Sequence, residues 1–406
     1  MKYRYLLLYI FSFLISIIYT DKAEAIPSFA RKTTFSCNVC HSTSFPRLNS
    51  FGWQFKENGY QIKGADKQFQ EQFTIKMEES IELLKNVPFA LRVRNNIQVR
   101  QEEPRIDFQL PKEIEFLAGG RVFENISFFY SQALGTTLIT PESIEKSFVI
   151  FSNLDKNNLF NIKVGKFNLM EWNVPYDKSL TLSKYLIENN EIGVNPFKLD
   201  SNQVGIELYG RPFDGSFFYN LALVNGKYDS ISLEDSFDNN SFKDVTGGLN
   251  YTFDTHRIGV WGYYGQNSIN IREPITNQLK ITQLKNITNN FYFYNTGISL
   301  NLDFSPLVIQ GIYSISQNFN KENDFLHGGF LEAIYMFKPD FLEYSSFLAL
   351  ARYDNVISKT NNNMSQSITG SLQFLPIQNL NIGLEYTYNL LDMNKNLAIL
   401  KMDLAF

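Results

Sequence analysis

The sequence predicts a mainly β fold: a closed antiparallel barrel of about 16 strands, preceded by a small, partly helical domain. Three observations point there. Apolar and polar residues alternate with period two through most of the chain beyond residue 88. The connections between the alternating segments are short and long by turns. The chain carries 37 Phe and 22 Tyr in 406 residues, yet its mean hydropathy is only -0.20. Rings in that number need burial, and without long apolar runs they find it on one face of two-faced strands.

The first element is a targeting segment. MKYRYLLLYIFSFLISIIYTDKAEA sets Lys2 and Arg4 before an apolar stretch from Leu6 to Tyr19 and ends small-x-small at Ala23 and Ala25. That is the layout of a secretory signal peptide, residues 1–25, cleaved after Ala25. A retained N-terminal anchor is the competing reading, but the stretch falls short of the ~20 residues a spanning helix needs. The exported chain, from Ile26, contains no apolar run approaching ~18 residues, so no transmembrane helix is expected. The formal net charge of -4, with no basic stripe, gives no sign of nucleic-acid binding. Two cysteines cannot build a disulfide framework.

Residues 26–87 form the second element. This stretch is polar, holds both cysteines, and closes on FQEQFTIKMEESIELLKN. There Phe69, Phe73, Met77, Ile81 and Leu84 recur at helical spacing until Pro88 ends the pattern.

From residue 88 to 406 the period becomes two. In PFALRVRNNIQVR one face carries Phe89, Leu91, Val93, Ile97 and Val99, and the other Arg92, Arg94, Asn96, Gln98 and Arg100. Further segments follow at about 106–121, 124–135, 143–154, 158–168, 202–211, 214–225, 243–254, 257–266, 288–301, 305–318, 325–337, 342–354, 364–375, 378–390 and 395–406. Most match the ~9–11 residues of a tilted strand crossing a bilayer. Tight connections fall near 123, 155–157, 212–213, 255–256, 303–304, 338–340 and 376–377, and long ones at 169–201, 226–242 and 267–287. Short periplasmic turns alternating with longer external loops mark a bacterial outer-membrane barrel. A soluble β-sandwich seldom keeps that alternation over so many hairpins. The last strand, NLAILKMDLAF, sets Ala398, Leu400, Met402, Leu404 and Phe406 toward lipid and Lys401 and Asp403 inward. Unpaired backbone amides are costly in lipid, so the sheet must close. About sixteen strands leave a lumen that accepts polar residues such as Arg92, Arg94 and Arg100.

The chemistry sits in FSCNVCH. Cys37, Cys40 and His41 make a C-x-x-C-H, the attachment motif of a c-type haem. The two thiols match the two vinyl groups of the porphyrin, and His41 ligates the iron. A second cysteine pair for zinc is missing, and there is no βαβ context for a thioredoxin-like pair. Residues 26–87 therefore read as a monohaem c-type cytochrome domain, and the short, partly helical stretch 61–87 favours a plug in the lumen over a cytochrome hanging in the periplasm as a shuttle docked to the barrel. For the sixth ligand Met77 is the candidate. It is the single methionine between the motif and the barrel, and a thioether there raises the reduction potential. Its equal alternative is a core residue of the helical stretch. Met170 is a poorer choice, at the start of a long connection, and His256 and His327 read as surface histidines. Phe29, Phe35, Phe45, Phe51, Trp53, Phe55 and Tyr60 crowd the motif, to wrap the porphyrin or to form the segment's own core. Arg31, Lys32, Arg47 and the lumen residues Arg92 and Arg94 are the cations available to the propionates.

The stretch IPSFARKTTFSCNVCHSTSFPRLNSFGWQFKENGY resembles the N-terminus of the fused monohaem cytochrome–porin family, the outer-membrane iron oxidases of iron-oxidising bacteria. That family reads A-x-P-x-F-A-R-x-T-G-x-x-C-x-x-C-H, then P-x-L and G-R-x-F-K-x-x-G-Y. Matching positions are Pro27, Phe29, Ala30, Arg31, Thr33, Cys37, Cys40, His41, Pro46, Leu48, Gly52, Phe55, Lys56, Gly59 and Tyr60. Thr34 replaces the family's Gly, Trp53 its Arg, and the interval from His41 to Pro46 is one residue longer. The match spans under a tenth of the chain.

The resemblance implies an electron-transfer protein of the bacterial outer membrane, an iron:cytochrome c oxidoreductase. It would oxidise extracellular Fe(II), or another reduced donor, at one covalently bound haem c and pass electrons to a periplasmic c-type cytochrome. The barrel meets outer-membrane lipid. External acids such as Glu188, Glu191, Asp229, Glu234 and Asp235 would attract cations or merely be solvated loop charges. The alternative is a porin-like channel whose haem domain is a plug or sensor. Carboxylate pairs, nucleophile triads and phosphate loops do not stand out, so no catalytic residue is assigned.

Overall fold

The computed structural model describes Phe29, Phe35, residues 37–41 and 47–62, and residues 89–405 apart from 103–104, 124, 136–143, 156–158, 174–178, 190, 193–194, 196, 200, 213–214, 227–240, 278–279, 320–323, 340–344, 360–362 and 378. For Cys37, Asn38, Phe123, Gly135 and residues 268–277 and 280–291 only the backbone is described. The signal peptide, Met77, Arg31, Lys32, Phe45, Asp229, Glu234 and Asp235 fall outside the described residues.

Sixteen strands close into one antiparallel barrel, each paired with its neighbours in sequence. They are β1 (Phe89–Arg100), β2 (Ile106–Phe123), β3 (Ile126–Gly135), β4 (Ile144–Phe151), β5 (Asn161–Asn168), β6 (Asn202–Gly210), β7 (Phe217–Val224) and β8 (Asp244–Phe253). The second half is β9 (His256–Asn277), β10 (Lys280–Phe304), β11 (Leu307–Asn318), β12 (Phe325–Phe337), β13 (Ser346–Ser358), β14 (Asn363–Ile377), β15 (Leu380–Asn389) and β16 (Leu397–Ala405). Pairing of β1 with β16, from Arg92↔Ala405 to Arg100↔Leu397, removes the last open edge. Ahead of β1 come two helices, α1 (Cys37–Cys40) and α2 (Ser50–Glu57), and between β5 and β6 lies α3 (Leu186–Asn189).

The period-two pattern sorts into two surfaces. In β7, Phe217, Leu221 and Leu223 face out while Phe218, Asn220, Ala222 and Val224 are buried inward. In β16, Leu400 and Met402 face out and Lys401 faces in. Aromatic side chains belt this apolar band at both ends. At the tight-turn end Tyr251, Phe253, His256 and Phe304 form a chain of ring contacts, and Phe337, Phe347 and Phe374 stack nearby. At the other end Tyr264, Tyr292, Tyr294 and Phe319 do the same. On β9 the two belts are separated by the run from His256 to Tyr264, about 26 Å of strand at ~3.3 Å per residue. That length matches the band of an outer-membrane barrel. Both chain ends of the barrel and its tight turns share one end, which in outer-membrane barrels is the periplasmic one. Among the described residues no helix is long and apolar enough to cross a membrane.

The strands expected from the sequence are all present, and two long connections differ from expectation. Residues 267–287 are not a loop: β9 and β10 continue through them, paired out to Lys280↔Asn277. Residues 169–201 are not an external loop either. They fold into the lumen, where Trp172, Tyr185, Ile187, Ile192 and Phe197 are buried. The far wall holds them. The backbone N–H groups of Leu182 and Ser183 donate to Glu385, Leu186 N–H donates to Asp354, and Arg352 donates to Thr181. Tyr185 stacks on Phe330 with ring centres 3.8 Å apart. Glu188, expected among the solvated acids, is therefore buried on α3, while Glu191 pairs with Lys198 at 3.2 Å in an exposed position.

Candidate functional site: the C-x-x-C-H turn in the lumen

The motif begins a short, tightly knit unit. Cys37–Cys40 form α1, and His41 pairs with Leu48 in an isolated antiparallel bridge. His41 Nδ1 lies 2.8 Å from the Arg47 carbonyl oxygen. A carbonyl only accepts, so the ring nitrogen donates. A proton on Nδ1 places the lone pair on Nε2, the tautomer a metal-binding imidazole needs, and the same bond fixes the ring's orientation. Asn49 ties the unit together: its Oδ1 accepts from Gly52 N–H and caps α2, and its Nδ2 donates 2.9 Å to Val39 O. Asn49 N–H also donates to Cys40 O at 2.9 Å.

Gly52 is required by this packing. A Cβ at that position would lie 2.1 Å from the Cys40 carbonyl oxygen, inside any real contact. The glycine lets α2 rest on the motif's backbone. Gly59 serves the other end of α2. Its φ of 66° ends the helix in the left-handed region, and its Cα approaches Ser127 and Ser152 of the wall so closely that a Cβ would sit 3.0 Å from both.

The unit lies inside the barrel near the periplasmic turns. Glu57, buried, accepts from Arg257 Nη1 at 2.9 Å and from Arg211 Nε. Lys56 reaches Glu171 at 3.1 Å. Glu171 and Glu207 together enclose the Lys163 ammonium, whose 2.6 Å contact is to Glu207. Trp53 packs on Trp172 and takes the Arg257 guanidinium over its ring at 4.5 Å. Burial works against the Glu171 charge, but Lys163 and Lys56 outweigh it and hold the carboxyl down at about 2. A cavity of about 30 Å³, room for one water, remains between Trp53, Trp172, Arg257 and the polar wall residues Asn250, Ser299 and Gln310.

The aromatics around the motif divide. Phe29 stacks on Tyr60 at 5.1 Å, and Tyr60 stacks on Phe129 of β3 at 5.8 Å, so these rings form the unit's core and dock it to the wall. Phe35 meets Phe51 at 6.1 Å beside α1. Among the lumen arginines expected from the sequence, Arg92 pairs with Asp403 and Arg94 lies 3.4 Å from Glu113. Arg100 is exposed at the end of β1. Met170 is buried in the lumen core. His256 Nδ1 accepts from Asp303 N–H, and His327 Nδ1 meets the Tyr313 hydroxyl at 2.8 Å, both on the barrel's outer side.

The sequence alone did not reveal the residues that seat the unit: Glu57, Lys163, Glu171, Trp172, Glu207, Arg211 and Arg257. One signal was available for part of this set. Leu169, Met170, Trp172, Tyr185, Ile187, Ile192 and Phe197 are too apolar for a stretch exposed to water. The wall charges carried no such signal, because their partners lie in distant strands.

No known family matches this chain, and no curated protein does. Solved structures do. An anion-selective porin from Comamonas acidovorans aligns at 11% identity, covering 78% of this chain and 98% of its own, with a TM-score of 0.55. OprB of Pseudomonas putida aligns at 10% identity over 80% of this chain and 96% of its own, TM-score 0.54. A loop-deletion mutant of OmpT, an outer-membrane protein of Vibrio cholerae, aligns at 10% identity over 78% and 98%, TM-score 0.52. At these identities the likeness establishes the fold alone, a 16-stranded barrel of the outer-membrane porin kind; the apolar outer band and its aromatic belts are what such a barrel presents to an outer membrane.

Proposed function

We propose that this barrel carries an electron across the outer membrane by way of one haem c bound to residues 26–87. Residues 1–25 are the export signal in this reading, and 88–406 the barrel. The carrying observation is His41: its Nδ1 is held by the Arg47 carbonyl, within a C-x-x-C-H turn that packs inside a closed barrel. The residues present fit such a group. Cys37 and Cys40 would form the thioether links and His41 Nε2 would ligate iron, with Met77 the candidate second ligand. A haem bound there would supply one-electron chemistry: extracellular Fe(II) would give up one electron and become Fe(III), and a periplasmic c-type cytochrome would accept that electron.

The chain's own residues do the rest. Gly52 and Asn49 hold α2 against the motif. Glu57, Lys56 and Tyr60 seat the unit at the periplasmic end, where an electron acceptor can dock. Residues 169–201 cross the lumen beside it and restrict solute passage. The ferric product would stay outside the cell.

A porin-like channel with a haem plug is the second reading, favoured by the fold likeness to porins. Purified protein in liposomes separates the two. Electron transfer predicts ferrous-haem absorbance bands on adding Fe(II) outside at near-neutral pH, with little flux of small solutes. Ready flux without an absorbance change would leave the channel standing and remove the iron oxidase.

A further inference from the structure

The lumen is rich in cations, and nearly every one has an anion at hand. Arg92 has Asp403, Arg257 and Arg211 share Glu57, Arg352 has Asp354, and Lys56 has Glu171. Arg47 departs from this pattern. It is 2% exposed, and both Nη1 and Nη2 are buried without a hydrogen-bond partner among the described residues. Glu332 of β12, Tyr185 and Asp303 feel its charge, yet none forms an ion pair with it within 4.0 Å. A guanidinium left bare out of water is costly, so an arrangement that keeps one has an anion to meet it. The backbone of Arg47 already holds His41, which places its side chain within an arm's length of the motif.

We infer that the Arg47 guanidinium binds a carboxylate, a propionate of the haem attached at Cys37 and Cys40. This rests on the haem reading above. Two parallel N–H donors suit a carboxylate, and the fork is poorly replaced by an ammonium. Among the described residues, the other candidate cations, Arg92 and Arg94, are committed to Asp403, Glu113 and Glu115. The inference assigns Arg47 two tasks from one residue: its carbonyl orients the iron ligand, and its side chain neutralises the porphyrin edge. A cation there favours the reduced haem, which carries one positive charge fewer.

The test uses the full-length protein purified in detergent, as wild type, Arg47→Gln and Arg47→Lys. Haem per polypeptide is measured first and the midpoint potential second. The expected result is full haem occupancy in all three, with the equilibrium constant for reduction about tenfold lower in Arg47→Gln, ~59 mV for one electron. Arg47→Lys should keep most of the potential but shift the propionate bending modes in resonance Raman spectra. That arm stands even if the glutamine variant does not fold. Haem retained with an unchanged potential and unchanged propionate modes overturns the inference, as a water bridge from Arg47 to Glu332 would predict. Acetate that shifts the wild-type potential but not that of Arg47→Gln also overturns it, by assigning the site to a dissolved carboxylate. Absence of haem from the wild type would instead remove the function proposed above.

Discussion

Strand β8 and helix α2 are of similar length and border the same lumen, yet they are held in place differently. Every residue of β8 from Asp244 to Tyr251 is in register with β7, and Val245 to Phe253 with β9, so its backbone is committed on both sides. Its outward side chains meet lipid. Helix α2 has no ladder to neighbours. Ion pairs at Glu57 and Lys56, stacking through Trp53 and one glycine contact hold it. The wall is a cooperative, closed network in which a side chain is one contribution among many. The contents of the lumen hang on a few buried charges, each of which matters alone. A barrel built this way can keep its shape while its inner unit changes.

Glu57→Gln should have the largest effect. It leaves Arg257 and Arg211 buried without their anion, a loss of about 3–5 kcal/mol for a broken buried pair. The loss should fall on the seating of α2 and not on the barrel. Hydrogen exchange of residues 50–61 should accelerate by a hundredfold or more while that of β8 stays put. Equal acceleration in both would mean that wall and contents unfold as one, and the contrast would be lost.

The reciprocal change is Leu249→Lys, on the lipid side of β8 between the aromatic belts. A lysine near the bilayer midplane costs about 2–4 kcal/mol in a barrel of this class. Refolding stability in lipid vesicles should drop by that amount, with α2 exchange unaltered relative to the strands. A drop below ~1 kcal/mol would say that this face is not in lipid.

What could be read from the sequence follows the same division. Lipid imposes a period of two, so the strands from Phe89 to Ala405 were legible nearly to their ends. Where β9 and β10 outrun the bilayer, lipid no longer dictates an apolar face, and residues 267–287 read as a loop. Cys37, Cys40 and His41 stand out in the sequence because they fall within five consecutive positions. Their seat was not legible, since Glu57 meets Arg211 and Arg257 only through folding. Residues 169–201 read as an external loop from their length and their Asn, Asp, Ser and Lys content, although their aromatic residues spoke for burial.

Acid should act on the contents before the wall. Glu171 is held from an ordinary 4.5 down to about 2 by Lys163 and Lys56. Its lowered value contributes stability that is fully present above pH 4.5 and disappears as the pH falls toward 2. Protection of residues 50–61 should therefore decline across that window. Other carboxyls titrate there too, so the diagnostic is the difference from Glu171→Gln, which should begin less protected and show a shallower decline. Parallel curves for the two proteins would exclude Glu171 as the acid-sensitive tie.

The smallest expected change tests how the inner unit holds itself. Asn49 contributes two separable bonds, an acceptor to Gly52 N–H that caps α2 and a donor to Val39 O that binds α1. Asn49→Ala removes both and should cost about 1 kcal/mol, the usual value of an N-cap. Asn49→Asp keeps the cap and adds a negative charge at a helix N-terminus, worth a few tenths of a kcal/mol in return, but it turns an oxygen toward the Val39 carbonyl. If the bridge to Val39 is what holds α1 on α2, the aspartate variant should protect α2 as the wild type does while exposing the Cys37–Cys40 turn to faster exchange. Neither substitution should alter the β1–β16 seam. A matching response of α1 and α2 to the aspartate would show that the cap, and not the bridge to Val39, joins the helices.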